Sequence, residues 1–134
     1  MNKLFLCLIV ILCSASSMAV SQQPSEKAVL YYEGWDTLTR AQLSPDDVRR
    51  TAPVVVTLRD RQRIDILLRW LDLGTLKQHD SGPGDARLVV DFFDAEGKRE
   101  SYYASLFDLL SEDSKRARPI DEKFRGHFRF LEGQ

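Results

Sequence analysis

The chain has 134 residues, with 19 lysine and arginine side chains against 20 aspartates and glutamates, a formal charge of −1. That length suits one domain, and the near-balance of charge removes nucleic acid as the expected partner, because neutralising a phosphate backbone needs a basic face. Both cysteines, Cys7 and Cys13, fall within the first nineteen residues. Once those residues are removed, disulfides, thiol catalysis and cysteine-ligated zinc are excluded.

Those nineteen residues read as a secretory leader. Lys3 supplies a positive start, residues 4–12 are apolar, and Ser17 and Ala19 place small residues either side of Met18, so cleavage is expected after Ala19. The apolar run is far short of the roughly 20 residues a membrane span needs, and no later segment approaches that length, so no integral membrane segment is expected in the mature form. Leu6 and Leu12 precede the two cysteines where a lipid-attachment signal wants a small residue. The only asparagine is Asn2, so the mature chain carries no glycosylation sequon, and a bacterial periplasm is the expected destination. Residues 20–27, with Pro24, read as a flexible lead-in, and 28–132 as the single folded domain.

Residues 28–33 are aliphatic and aromatic and predict a strand. Alternation of Trp35, Thr37, Thr39, Ala41 and Leu43 predicts a second, with Gly34 as the break. Ser44, Pro45, Asp46 and Asp47 then form a helix start. The serine can accept a free backbone N–H, proline suits the first helical position, and the two carboxylates favour the positive helix end, giving a short helix at about 45–51. Pro53 stops it, and Val54, Val55 and Val56 read as a buried strand.

Thr57 and Asp60 match the looser form of a capping box and open the main helix, at about 58–73. Ile64, Ile66, Leu67, Leu68, Trp70, Leu71 and Leu73 sweep a wide apolar arc that calls for packing on two sides, and Gly74 is read as the left-handed stop. Residues 76–85 form a loop rich in glycine and proline. Asp94, Ala95, Glu96, Gly97 and Lys98 predict a three-residue hairpin turn with Gly97 at positive φ. If Asp94 faces Lys98, Val90 faces Tyr102, so Leu88, Val90, Phe92, Tyr102 and Ala104 share a core face while Val89, Phe93 and Tyr103 share the other. A second hairpin is read at 106–110 and 115–120. Asp121 and Glu122 open a last helix at about 121–132, chosen over a strand in which Phe124, Phe128 and Phe130 would alternate with charged residues. The sum is an α+β domain: an antiparallel sheet of five to seven strands packed by one main helix and two shorter ones.

No catalytic or ligand-binding signature emerges. His79 and Asp80 adjoin in the loop, but neighbours in a loop do not fix each other's geometry, and the nucleophile-elbow pattern is absent. His79 and His127 lack metal-ligand spacing, and no cofactor or metal is expected. The arginines at 59, 61 and 63 are interrupted by Asp60 and Asp65, and those at 116 and 118 follow Glu112 and Asp113, so both clusters read as solvated surface. By elimination the expectation is an exported, non-enzymatic protein that binds another protein by surface complementarity, such as a periplasmic inhibitor or immunity-type protein. The candidate contacts are Val89, Phe93 and Tyr103 on the second hairpin face, unless the last helix covers it, with His79 and Asp80 in the loop. The alternative is a small-ligand carrier or sensory module, which requires a cavity lined by residues such as Trp70, Val90 and Tyr102.

Overall fold

The computed structural model describes residues 24–134; the leader read at 1–19 and the first part of the lead-in lie outside the described residues. Seven strands form one antiparallel sheet: β1 (Lys27–Tyr32), β2 (Val54–Leu58), β3 (Lys77–Gln78), β4 (Leu88–Phe93), β5 (Arg99–Ala104), β6 (Asp108–Ser111) and β7 (Arg116–Pro119). Their order across the sheet is β2-β1-β4-β5-β6-β7-β3. Three helices complete the α+β domain: α1 (Pro45–Thr51), α2 (Arg61–Leu71) and α3 (Glu122–His127).

The β4–β5 hairpin has the register that its turn residues dictate. Val90 pairs with Tyr102 and Phe92 with Glu100, Asp94 N–H donates to the Lys98 carbonyl, and Gly97 sits at φ +80°. With a side-chain period of two, this register assigns every residue of the hairpin to a face. Leu88, Val90, Phe92, Tyr102 and Ala104 join Ala28, Leu30 and Tyr32 of β1 in the larger core, closed by Ile64, Leu67 and Leu71 of α2 and by Phe124, Phe128 and Leu131. Val89 and Tyr103 point the other way, into a second core with Val48 of α1, Leu110 and Ala117. The sheet is therefore covered on both sides.

Besides Val48, polar contacts hold α1 there. Its start is a full capping box: Ser44 Oγ accepts from Asp47 N–H, while the Asp47 carboxylate accepts from Ser44 N–H. One turn on, Arg49 grips the buried Asp91 of β4 with two bonds, Nε to Oδ2 at 3.0 Å and Nη2 to Oδ1 at 2.8 Å. Its Nη1 reaches Asp46 and Glu112, and Ser101 Oγ donates to the Asp91 carboxylate at 2.5 Å. The side chains of Arg49 and Asp91 are only 11% and 2% exposed. Burial works against the arginine's charge, but the bonds it donates to Asp91, Glu112 and Asp46 outweigh it and raise its pKa. A fork-shaped, charge-assisted pair of this kind is both strong and geometrically selective.

Several sequence expectations are corrected. Residues 35–43 form no strand. Gly34, at φ +112°, turns the chain so that Trp35 drops into the core, where its amide donates to Tyr32 Oη and its indole N–H to the Arg125 carbonyl. The following residues run over the surface, with Leu38 97% exposed. The valines at 54–56 are not a buried strand but part of the sheet's outermost one, and Val55 is 53% exposed. Thr57 does not cap α2, because it lies within β2, opposite Val29, and the strand runs on through Leu58, which pairs with Ala28. Asp60 caps instead, accepting from Gln62 N–H, so the helix opens at Arg61. It ends at Leu71, where Asp72 rather than Gly74 takes the left-handed conformation (φ +49°, ψ +56°) and donates to Leu68 O. Part of the 76–85 loop is β3, a two-residue strand on β7.

The C-terminal segment is helical, as read, but in two pieces. Asp121 caps α3 by accepting from Phe124 N–H, a bond that also holds its carboxyl below the usual range. After Phe128 the chain tightens into a 3₁₀ turn at Arg129–Gly133. The spacing of Phe124, Phe128 and Leu131, all buried, keeps three apolar side chains on the sheet despite the change of pitch.

Two outcomes are expected on denaturation. Trp35→Ala removes a buried indole that meets Tyr32 and Phe128 edge-on, and should cost about 3–5 kcal/mol in a urea titration. Asp91→Ala strands Arg49 without its buried partner and should cost about 3–5 kcal/mol, whereas the double change Arg49→Met, Asp91→Leu should recover most of it. A single variant within about 1 kcal/mol of the parent would show that the pair does not anchor α1.

Candidate functional site

The second hairpin face is not a free surface. Val89 and Tyr103 are buried beneath α1, and Phe93 is half-buried, with Lys27 Nζ 4.5 Å from its ring centroid. The cover comes from residues 45–51 and not from the last helix, which packs on the opposite face. Asp91 is the signal that could have shown this. A carboxylate inside the apolar run of β4 is tolerated only where a cation covers it, and Arg49 is that cation.

His79 and Asp80 do not form a base-orienting pair. His79 Nε2 lies 2.9 Å from the Gly82 carbonyl, the exposed Asp80 accepts from Gln78 Nε2, and no hydrogen bond joins the two side chains. His127 is stacked on Trp70, with ring centroids 4.8 Å apart and planes 7° from parallel. Among the described residues no three His, Cys, Asp or Glu side chains converge in a way that could hold a metal ion, and no helix is long and apolar enough to cross a membrane.

The loop carrying His79 is braced from several sides. Its backbone N–H at His79 donates to Lys115 O, Gly84 N–H donates to Tyr103 Oη, and Asp85 accepts from Leu43 N–H at 2.7 Å while pairing with Arg87. Tyr103 Oη also bonds Ser114 Oγ. A Cβ at Gly84 would stand 3.1 Å from Ser105 Cβ, so the chain passes close against the sheet there.

A different surface has the features of a docking site. Among the described residues β2 pairs with β1 on one side only. The Glu33 N–H to Arg87 O bond sets the ladder so that even-numbered residues of β1 bond β2, which leaves the N–H and C=O of Val55 and Thr57 directed outward. Beside this edge lies a cleft of ≈ 460 Å³ between β2, α2 and the C-terminal turn, lined by Val56, Leu58, Arg63, Ile66, Trp70 and Phe130 among others. Phe130 and Ile66 are 45% and 36% exposed. The wide apolar arc of α2 is thus only partly used: Ile64, Leu67 and Leu71 face the core, while Ile66 and Trp70 face this cleft.

The cavity required of a carrier is not assembled as expected. Trp70 lines the cleft at β2, whereas Tyr102 lines a separate one of ≈ 680 Å³ with Phe92, Leu73, Glu100 and Arg116, and Val90 lines neither. No family model matches the chain, and comparison with curated proteins and with solved structures returns no match either.

Two tyrosines at the margins of this face make stability sensitive to alkali. Burial, opposed by the Trp35 amide and reinforced by Glu132, pushes Tyr32 up to about 12; burial and the bond to Glu100 push Tyr102 to about 12. The folded state keeps both phenols neutral where the unfolded chain ionises near 10. Their contribution is therefore complete below about pH 10 and lost as pH rises towards about 12. The double variant Tyr32→Phe, Tyr102→Phe should show a shallower fall in stability across that interval by circular dichroism. An unchanged slope would assign the alkaline loss to other groups.

Proposed function

We propose that the chain is an exported binding protein without catalytic activity, of the inhibitor or immunity type, which occupies its target through the free β2 edge and the apolar cleft beside it. The observation that carries this reading is their conjunction: among the described residues, the N–H and C=O of Val55 and Thr57 have no strand partner, and they border the cleft that exposed Ile66 and Phe130 line. Strand addition at such an edge supplies main-chain hydrogen bonds for affinity and alternate side-chain contacts for specificity. The leader-like start of the sequence and a domain with no cysteine agree with work outside the cytoplasm. The braced loop at His79 and Asp80 offers a second, rigid contact. A small-ligand carrier is the rival reading, favoured by the cleft at Tyr102, where Glu100 and Arg116 bring opposite charges to an aromatic floor.

A photo-crosslinking residue placed at Val55 or Ile66 should capture one envelope protein stoichiometrically, and the same residue at exposed Phe107, on the β5–β6 connection, should not. Capture at none of the three positions would overturn the binding-protein reading. Capture at Phe107 alone would keep it and move the site.

A further inference from the structure

The chemistry at the cleft narrows what β2 can receive, and this step rests on the reading of the edge as a docking site. The edge is short: Val54–Leu58 supplies five residues, bounded by Pro53, which has no N–H, and by Arg59 and Asp60 at the turn into α2. An added strand therefore gains register over about five residues. Side chains of its alternate residues would continue the row Val54, Val56 and Leu58 and lie over Ile66, Trp70 and Phe130. The others would sit beside Val55 and Thr57 on the solvent side.

Charge then selects among occupants. The lining of the cleft includes one cation, Arg63, and no carboxylate side chain. Arg63 stands on the same α2 stripe as Ile66 and Trp70, and its only ion pair among the described residues is a 4.0 Å contact with exposed Asp60. Arg59, where the edge ends, makes no ion pair among the described residues, and it lines the adjoining hollow with Arg61, Ile64 and the exposed Glu26, so two cations there face one carboxylate. A second copy paired antiparallel about Val56 would set Arg59 opposite Pro53, so the pairing brings no carboxylate to the end of the edge. A polypeptide bearing carboxylates supplies one.

We infer that β2 accepts an extended, acidic segment of another protein, in which apolar residues alternate with glutamate or aspartate, as an eighth strand whose apolar side chains enter the cleft and whose carboxylates meet Arg59 and Arg63. The backbone term requires free N–H groups on the segment, the side-chain term requires the alternation, and the ionic term weakens as salt rises. Each can be removed separately.

The probe is an end-capped eight-residue peptide alternating valine with glutamate, titrated into the purified mature chain and followed by amide chemical shifts. Shifts confined to β2, Ile66, Trp70 and Phe130 are expected. Binding should be about tenfold tighter than for the valine–lysine counterpart. That preference should reverse in Arg63→Glu, fade in high salt, and vanish for a peptide methylated at alternate nitrogens. The methylated peptide needs no change in the protein, so loss of folding cannot imitate the result. No binding, equal binding of the lysine peptide, or a dimer of the chain paired through β2 would each overturn the inference. If crosslinking at Val55 or Ile66 still captures an envelope protein in those cases, the binding-protein reading survives and only the nature of the segment has been misassigned.

Discussion

The buried pair of Arg49 and Asp91 decides more of this architecture than its size suggests. Asp91 lies at the centre of the strand that neighbours β1 and β5, and a carboxylate there is tolerable only with a cation brought to it across the sheet face. Arg49 comes from a helix of two turns, too short to be stable alone. Helix and carboxylate are therefore mutually dependent: the capping box forms the turn that presents the arginine, and the ion pair fixes the turn to the sheet. Because only Ala52 and Pro53 separate α1 from β2, fixing α1 over β4 and β1 also fixes where β2 begins. It can reach the free side of β1 and nothing further.

The consequence is an unequal division of labour between the two faces. One carries the small core around Val48, Val89 and Tyr103, complete once α1 is in place. The other carries α2, α3 and the C-terminal turn, with Trp35 dropped in beside Phe128 to join the strand side to the helix side. That layer covers the middle of the sheet more fully than its β2 end. Trp70 marks the boundary, touching Phe128 edge-on on one side, stacked on His127, and open to the cleft on another. An apolar arc wider than one packing face was the sequence's sign that α2 has a second contact to make.

Local patterns were legible wherever local chemistry decides. The α1 capping box, the Gly97 turn, the hairpin register and the helical C-terminus follow from residues within a few positions of each other. Local pattern misleads where a distant partner takes over. Alternation at 35–43 imitates a strand, but Gly34 and the demand for an indole at the core override it. Thr57 looks like a cap until Ala28 claims the backbone of Leu58 and extends the strand past it. Val89 and Tyr103 looked available because nothing nearby in sequence announces that residues 45–51 return to cover them. Only Asp91 carried that information, as a charge out of place. The free edge of β2 could not be read at all, since strand order is a global property, and three consecutive valines suit a central strand better than an outer one.

How the two ends of the sheet differ bears on what each is for. β3 closes one end with two residues, Lys77 and Gln78, both exposed, which is how sheets avoid pairing with other chains. Among the described residues the β2 end is guarded only at its tips, by Pro53 before it and by Arg59 and Asp60 after it, while its centre carries exposed Val55 on one face and borders an apolar cleft on the other. Proline and arginine at those positions limit the length and the charge of anything that adds there, without preventing addition. An edge shaped only to repel would carry its charge in the middle, where it would do most to oppose pairing. Here the charge stands at the margin, with Arg59 and Asp60 beyond Leu58, and the five residues between carry none.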